Sequence, residues 1–148
     1  MNNKTKSLDN LDKRILKELQ LNARISVSEI GRRVGLSTPA VTERISKLEQ
    51  ENFIQGYQTK VNYCKLGLPI KVFIHFRSIS LKHADIMKMI DAIPEVVEWH
   101  TITGDSCALL KVVVATTEEL ERVIEHLGKF GDTKTSIILS SNVEPKII

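Results

Sequence analysis

The sequence predicts an α+β protein: an N-terminal winged helix-turn-helix followed by a ferredoxin-like domain of order β-α-β-β-α-β. Three observations predict it. Apolar residues recur at helical spacing through the first fifty positions. The period switches to two from about residue 68, where Ile70, Val72, Ile74 and Phe76 alternate with Lys71, Phe73, His75 and Arg77. Hydroxyl or carboxylate caps and glycine stops then punctuate both halves at the intervals such elements need.

In chain order, Met1–Ser7 is a polar arm. Asp9 caps a first helix carrying Leu11, Ile15 and Leu19, with Asp12 favourable in its first turn. Ser26 and Glu29 have capping-box spacing for a second helix with Ile30 and Val34 inward, and Gly35 stops it. Ser37-Thr38-Pro39 opens a third helix, with proline where its missing N–H costs nothing, and Val41, Ile45 and Leu48 form its buried stripe. Ile54 to Val61, with Gly56 as a turn or bulge, reads as the short strands of a wing. The domains therefore fall at 8–61 and 68–148, with a hinge at 62–67.

In the second domain, residues 82–93 read as a helix with Ile86, Ile90 and Ile93 inward, ended by Pro94. Val96–Thr103 and Ala108–Ala115 are strands joined by the turn Gly104-Asp105-Ser106-Cys107. Thr116 and Glu119 have capping-box spacing for a helix burying Leu120, Val123, Ile124 and Leu127. Gly128 and Gly131 end that helix, and Thr135–Val143 is the last strand. Both helices cover one face of a four-stranded sheet. The other face, with apolar residues such as Phe73 and Leu109, is expected to pair with another subunit.

Composition narrows the function. Of the 148 residues 42% are hydrophobic and 26% charged, the balance of a globular domain, and no apolar run approaches a membrane span. The first residues lack a signal-peptide pattern, so a cytoplasmic protein is expected. Cys64 and Cys107 lie far apart without neighbouring Cys or His, which argues against a disulfide framework or a structural zinc site. His75, His83, His100 and His126 likewise show no metal-ligand spacing, and Trp99 reads as a packing residue. No metal or cofactor is expected. Residues 1–60 carry 11 Lys and Arg against 7 Asp and Glu, whereas residues 61–148 carry 10 against 11. The basic excess thus belongs to the helical half.

That half has the geometry for DNA. Gly31 is small enough for two helices to approach, Gly35 makes the turn, and Val41 fills the angle. The outer face of the third helix is then free to enter a major groove. Its outward residues are Thr38, Thr42, Glu43, Ser46 and Lys47, with Arg44 toward one edge and Ser37 at its start. Hydroxyl and basic groups there suit base edges and phosphates, while Arg32 and Arg33 on the preceding helix suit the phosphate backbone. A solvated three-helix unit would show much of the same pattern; the wing and the basic excess favour double-stranded DNA as partner.

The whole string resembles the Lrp/AsnC family of bacterial and archaeal transcription regulators. The resemblance rests on Leu8-Asp9-x-x-Asp12-x-x-Ile15-Leu16, Ala23-Arg24-Ile25-Ser26, Val34-Gly35-Leu36-Ser37 and Val41-x-x-Arg44-Ile45-x-x-Leu48-Glu49. It continues through Ile54-Gln55-Gly56-Tyr57, Lys65-Leu66-Gly67, Pro94-Glu95-Val96 and Thr103-Gly104-Asp105-x-x-x-Leu109-Leu110-Lys111-Val112. It implies a DNA-binding regulator that dimerises through the second-domain sheets and assembles further, often to octamers. It also implies an amino-acid effector held between subunits near the Gly-Asp turn, here Gly104, Asp105, Ser106, Cys107 and Ala108, with Ser136 on the last strand.

The turn departs from the family pattern G-D-x-D plus aromatic, because Cys107 replaces the second carboxylate and Ala108 the aromatic. A thiol cannot neutralise an effector ammonium, and a buried unpaired charge is strongly disfavoured. Three alternatives stay open: a different effector, an amino acid held by Asp105 and backbone carbonyls, or no amino acid. The last would suit an architectural protein that bends or wraps DNA with loose sequence choice. A remoter alternative is a tetrapyrrole decarboxylase of the same two-domain layout, recruiting His75, Arg77 and His100. The second domain has only two arginines, Arg77 and Arg122, and no evident catalytic acid or base, so a non-enzymatic protein is expected.

Overall fold

The computed structural model describes residues 7–79, 83–141 and 147; the expected arm before Ser7 lies outside these. The chain divides between Lys60 and Val61 into two compact units.

In the first unit, α1 (Asn10–Leu21), α2 (Val27–Val34) and α3 (Thr38–Gln50) pack around fully buried Ile15, Ile30 and Val41, with Val34 and Leu48. Each start is capped locally. Asp9 and Asp12 form a complete reciprocal box: Asp12 N–H donates to Asp9 Oδ1 (2.7 Å) and Asp9 N–H to Asp12 Oδ2 (3.3 Å). Ser26 accepts from Glu29 N–H, but the return bond of the expected box is replaced, because the Glu29 carboxylate is taken by Arg32 and Arg33. The expected wing strands are the main correction here. Among the described residues 54–62 contain no strand. After α3 the chain turns at Asn52 (φ 62°), and Phe53 and Ile54 N–H both return to Leu48 O; among the described residues no strand lies beside the stretch that follows. The expected hinge is a 3-10 turn, Tyr63–Leu66, stopped by Gly67 at φ 80°.

The second unit follows the predicted order: β1 (Ile70–Ser78), α4 (His83–Asp91), β2 (Val96–Thr101), β3 (Ala108–Val114), α5 (Thr117–Gly128) and β4 (Gly131–Ile137). The strands form one antiparallel sheet in the order β2-β3-β1-β4. Val72, Ile74 and Phe76 of β1 and Leu110, Val112 and Val114 of β3 are completely buried against Ile86 and Ile90 of α4 and Val123 and Leu127 of α5. Lys71, Phe73, His75 and Arg77 point the other way, and Leu109 on that face is half-buried rather than exposed. Trp99 packs against the core and donates its indole N–H to Asp91 (3.0 Å).

The last strand is shifted from the expected 135–143, and its far end, residues 142 and 143, lies outside the described residues. It begins at Gly131 opposite Ser78 and ends at Ile137, one residue past Ser136 opposite Phe73. Extending this register would bring Pro69, which has no N–H, opposite residue 140. A Cβ on Gly131 would collide with the Arg77 carbonyl, so only glycine lets β4 start there. At α5 the box is again altered: Thr116 accepts from Glu119 N–H, while Glu119 accepts from Ala115 N–H. No helix among the described residues is long and apolar enough to cross a membrane.

Candidate nucleic-acid interface and effector turn

The turn between α2 and α3 is built by backbone. Gly35 sits in the left-handed region (φ 78°, ψ 38°), and Gly35 and Leu36 N–H both donate to Gly31 O at 2.9 Å. A Cβ on Gly31 would stand 2.5 Å from Leu36 O, so the close approach depends on glycine. Ser37 caps α3 by accepting from Ala40 N–H (3.4 Å), and Pro39 follows in the first turn. Val41 and Leu48 turn inward.

The opposite face of α3 is open: Thr38, Thr42, Glu43 and Lys47 are exposed and Ser46 is half-buried. Among the described residues Lys47 has no ion-pair partner. Thr42 donates its hydroxyl proton to Thr38 O (3.0 Å), which leaves its oxygen as an acceptor. The helix thus presents the Thr42 hydroxyl and, further along, the Lys47 cation outward, groups that suit base edges and phosphate.

The predicted basic residues divide. Arg32 forks onto Glu29 (2.8 and 2.7 Å), and Arg33 bridges Glu29 (2.7 Å) and Glu18 (2.6 Å). These hydrogen bonds, Arg32 first, hold the Glu29 carboxyl down at about 2. Arg32 remains 73% exposed, so a phosphate can reach it. Arg44 is turned away from the outer face: its Nη1 donates to Asp9 Oδ2 (2.7 Å) and Asp12 Oδ1 (2.6 Å). Sequence reasoning missed Arg14, whose guanidinium donates to Val34 O (3.2 Å) and Arg33 O (2.7 Å) at the end of α2. No local spacing signals a bond twenty residues apart. The Glu29 pairs at i+3 and i+4 were legible.

In the second unit, Gly104 has φ 107°, which explains glycine at the predicted turn. Asp105 and Ser106 line a cleft of about 310 Å³ with His75, Arg77, Asp132, Thr133 and Lys134. Arg77 is held by Asp132, with Nε 3.2 Å from Oδ2. The other predicted effector residues do not line this cleft. Cys107 is half-buried, its Sγ donating to Phe76 O (3.3 Å) and accepting from Ser78 N–H (3.4 Å). Ala108 is in the core, and Ser136 is exposed on β4. A larger cleft, about 870 Å³, lies between α1 and residues 53–58, and among the described residues no carboxylate lines it to pair an ammonium. No cluster of potential metal ligands occurs among the described residues.

The profile of the AsnC-type helix-turn-helix domain matches residues 8–49, and that of the Lrp/AsnC ligand binding domain matches residues 71–147. The HTH-type transcriptional regulator LrpB of Bacillus subtilis is 36% identical over 125 residues, 84% of each chain. The leucine-responsive regulatory protein of Salmonella typhimurium is 34% identical over 142 residues, 90% of this chain and 86% of the relative. The solved structure of Bacillus subtilis LrpC superposes with a TM-score of 0.88 at 30% identity, covering 95% of this chain and all of that one. These relatives are transcriptional regulators, not enzymes, which displaces the decarboxylase alternative. The chain belongs to the Lrp/AsnC family of helix-turn-helix transcriptional regulators.

Proposed function

We propose that this regulator binds double-stranded DNA in a sequence-selective way through the outer face of α3. The observation that carries this reading is the open row of Thr38, Thr42, Glu43 and Lys47 on a helix whose other side is locked into the core. Ser37 and Ser46 belong with that row; Arg32 stands ready for a phosphate from α2, and Arg33 reaches one by yielding its bonds to Glu29 and Glu18. The test is binding to a duplex that the wild-type protein enriches from a random pool, compared with unselected duplex at one salt concentration. Lys47→Ala should weaken both and reduce the slope of log affinity against log salt by about one. Thr42→Ala should change which sequences are enriched. If both variants behave as wild type, α3 is not the reading element. Equal affinity for selected and random duplex would favour the architectural reading instead.

The regulator self-associates, in this proposal, through the open sheet face around Phe73 to form a dimer and then a higher oligomer such as an octamer. Light scattering across concentrations tests it. It acts in the cytoplasm, beside the DNA. Its effector is a free amino acid bound near Gly104 and Asp105, and two features support that class. The second-unit family is described as ligand binding, and a relative is named leucine-responsive. The lining of the cleft includes Asp105, a carboxylate that suits an ammonium, and Lys134, a cation that suits a carboxylate. Melting against each free amino acid is the experiment, since a ligand of the folded state raises Tm with concentration. No rise with any of them refutes the effector part and leaves the DNA part standing.

A further inference from the structure

We infer that Arg44 is a positioning residue: through Asp9 and Asp12 it fixes the seat of α3 on α1, and it does not touch DNA. The inference rests on reading α3 as the DNA-contacting helix. Three observations carry it. The first is the division of labour within the two carboxylates. Asp9 uses Oδ1 and Asp12 uses Oδ2 for the reciprocal cap of α1, and each turns its remaining oxygen to Arg44 Nη1, at 2.7 and 2.6 Å. Both bonds use the two protons of Nη1, so a phosphate could meet this guanidinium only through Nε or Nη2, and taking Nη1 as well would leave two facing carboxylates without their cation.

The second is where Arg44 lies on its helix. At about 100° per residue, Arg44 is about 40° from buried Leu48 and about 60° from exposed Lys47, so it stands at the edge of the outward row on the side nearer the core. Its side chain is 30% exposed, against 73% for Arg32, which is free to meet solvent. The third is a matching contact further along α1. Arg14 reaches the last carbonyls of α2, those of Arg33 and Val34, so α1 grips both helices of the motif by charged hydrogen bonds. Apolar packing alone leaves helices free to slide and rotate by small amounts. Directional bonds from the first turn of α1 to the middle of α3 remove that freedom, and base contacts on the far side of α3 need it removed.

The test uses the full-length protein and the duplex that wild type enriches from a random pool. Arg44→Ala and Asp12→Asn should each lower affinity for that duplex at least fivefold, and the double variant should lose no more than the worse single one. The salt slope should stay at the wild-type value for all three, whereas Lys47→Ala lowers it by about one. Arg44→Lys, which keeps a donor cation for both carboxylates, should recover most of the lost affinity. Far-UV circular dichroism at the assay temperature confirms that each variant is folded, and Asp12→Asn, which keeps shape and size, guards against collapse in Arg44→Ala. A slope lowered by about one in Arg44→Ala with Asp12→Asn binding normally would make Arg44 a phosphate contact and overturn the inference. Wild-type affinity in both variants would overturn it as well. A wild-type protein that enriches no duplex would remove the α3 reading and this inference with it.

Discussion

Gly31→Ala measures how tightly the helix-turn-helix corner is closed. Within α2 the change should help, since alanine in a helix interior is favoured over glycine by about 1 kcal/mol. The structure opposes this. The new Cβ would stand 2.5 Å from the Leu36 carbonyl oxygen, a backbone atom that cannot rotate away. Reaching a tolerable carbon–oxygen contact of about 3.3 Å requires the carbonyl to retreat by about 0.8 Å. Gly35 and Leu36 both donate to Gly31 O at 2.9 Å, so that retreat also strains the bonds closing the turn. Overpacking costs about 1–3 kcal/mol. A weakened hydrogen bond adds about 0.5–1.5 kcal/mol. After subtracting the helix gain, the expected net loss is about 2 kcal/mol, with about 0.5–3.5 as the range.

The assay is urea unfolding followed by far-UV circular dichroism, with fluorescence of the single tryptophan, Trp99, reporting the sheet unit separately. Gly128→Ala is the internal control. It ends α5, and its new Cβ would meet nothing within 4 Å, so it should be neutral or stabilising. A Gly31→Ala midpoint at or above that of wild type would show that the corner has room for the added methyl.

The other predictions concern charge, thiols and the core. Glu29 should titrate by NMR near pH 2 instead of its ordinary value near 4.5; because its folded pKa is depressed, its contribution to stability is present above about pH 4.5 and is lost as pH falls toward 2. Glu29→Gln should remove that part of the acid dependence, and a Glu29 titration midpoint near 4.5 would show that the arginine bonds do not hold in solution. A maleimide should label the exposed Cys64 quickly and the hydrogen-bonded Cys107 only in urea; rapid labelling of two thiols in native protein would mean the Cys107 thiol faces solvent. Ile74→Ala, in the centre of β1 and completely buried, should cost about 2–5 kcal/mol in the Trp99 transition, and a loss under about 1 kcal/mol would contradict its complete burial.

Much of this fold was legible because its signals are local. The caps at Asp9, Ser26, Ser37 and Thr116 act on amides three residues away, so spacing alone reveals them. Alternation along Ile70–Arg77 assigns both faces of β1, and Gly35 and Gly104 mark positive φ without any knowledge of the rest. The candidate DNA-facing row on α3 follows from the same helical period that buries Val41 and Leu48.

What escaped the sequence involves partners that are distant along the chain. The strands expected at Ile54–Val61 have β-type residues, but a strand exists only when a second one lies beside it, and none of the described residues supplies it. Arg44, toward one edge of the outward face, reads as a DNA contact until Asp9 and Asp12, more than thirty residues earlier, are placed against it. Arg14 gave no hint of capping α2. Cys107 stood in a turn expected to meet a ligand, and packing against the end of β1 turned its sulfur toward Phe76 and Ser78 instead. Short-range order determined which elements form, because caps, periodicity and glycine conformations act within a few residues. Tertiary structure alone decided which polar groups those elements spend on each other and which they leave exposed, because a side chain's partner depends on distances that only the packed chain brings within bonding range.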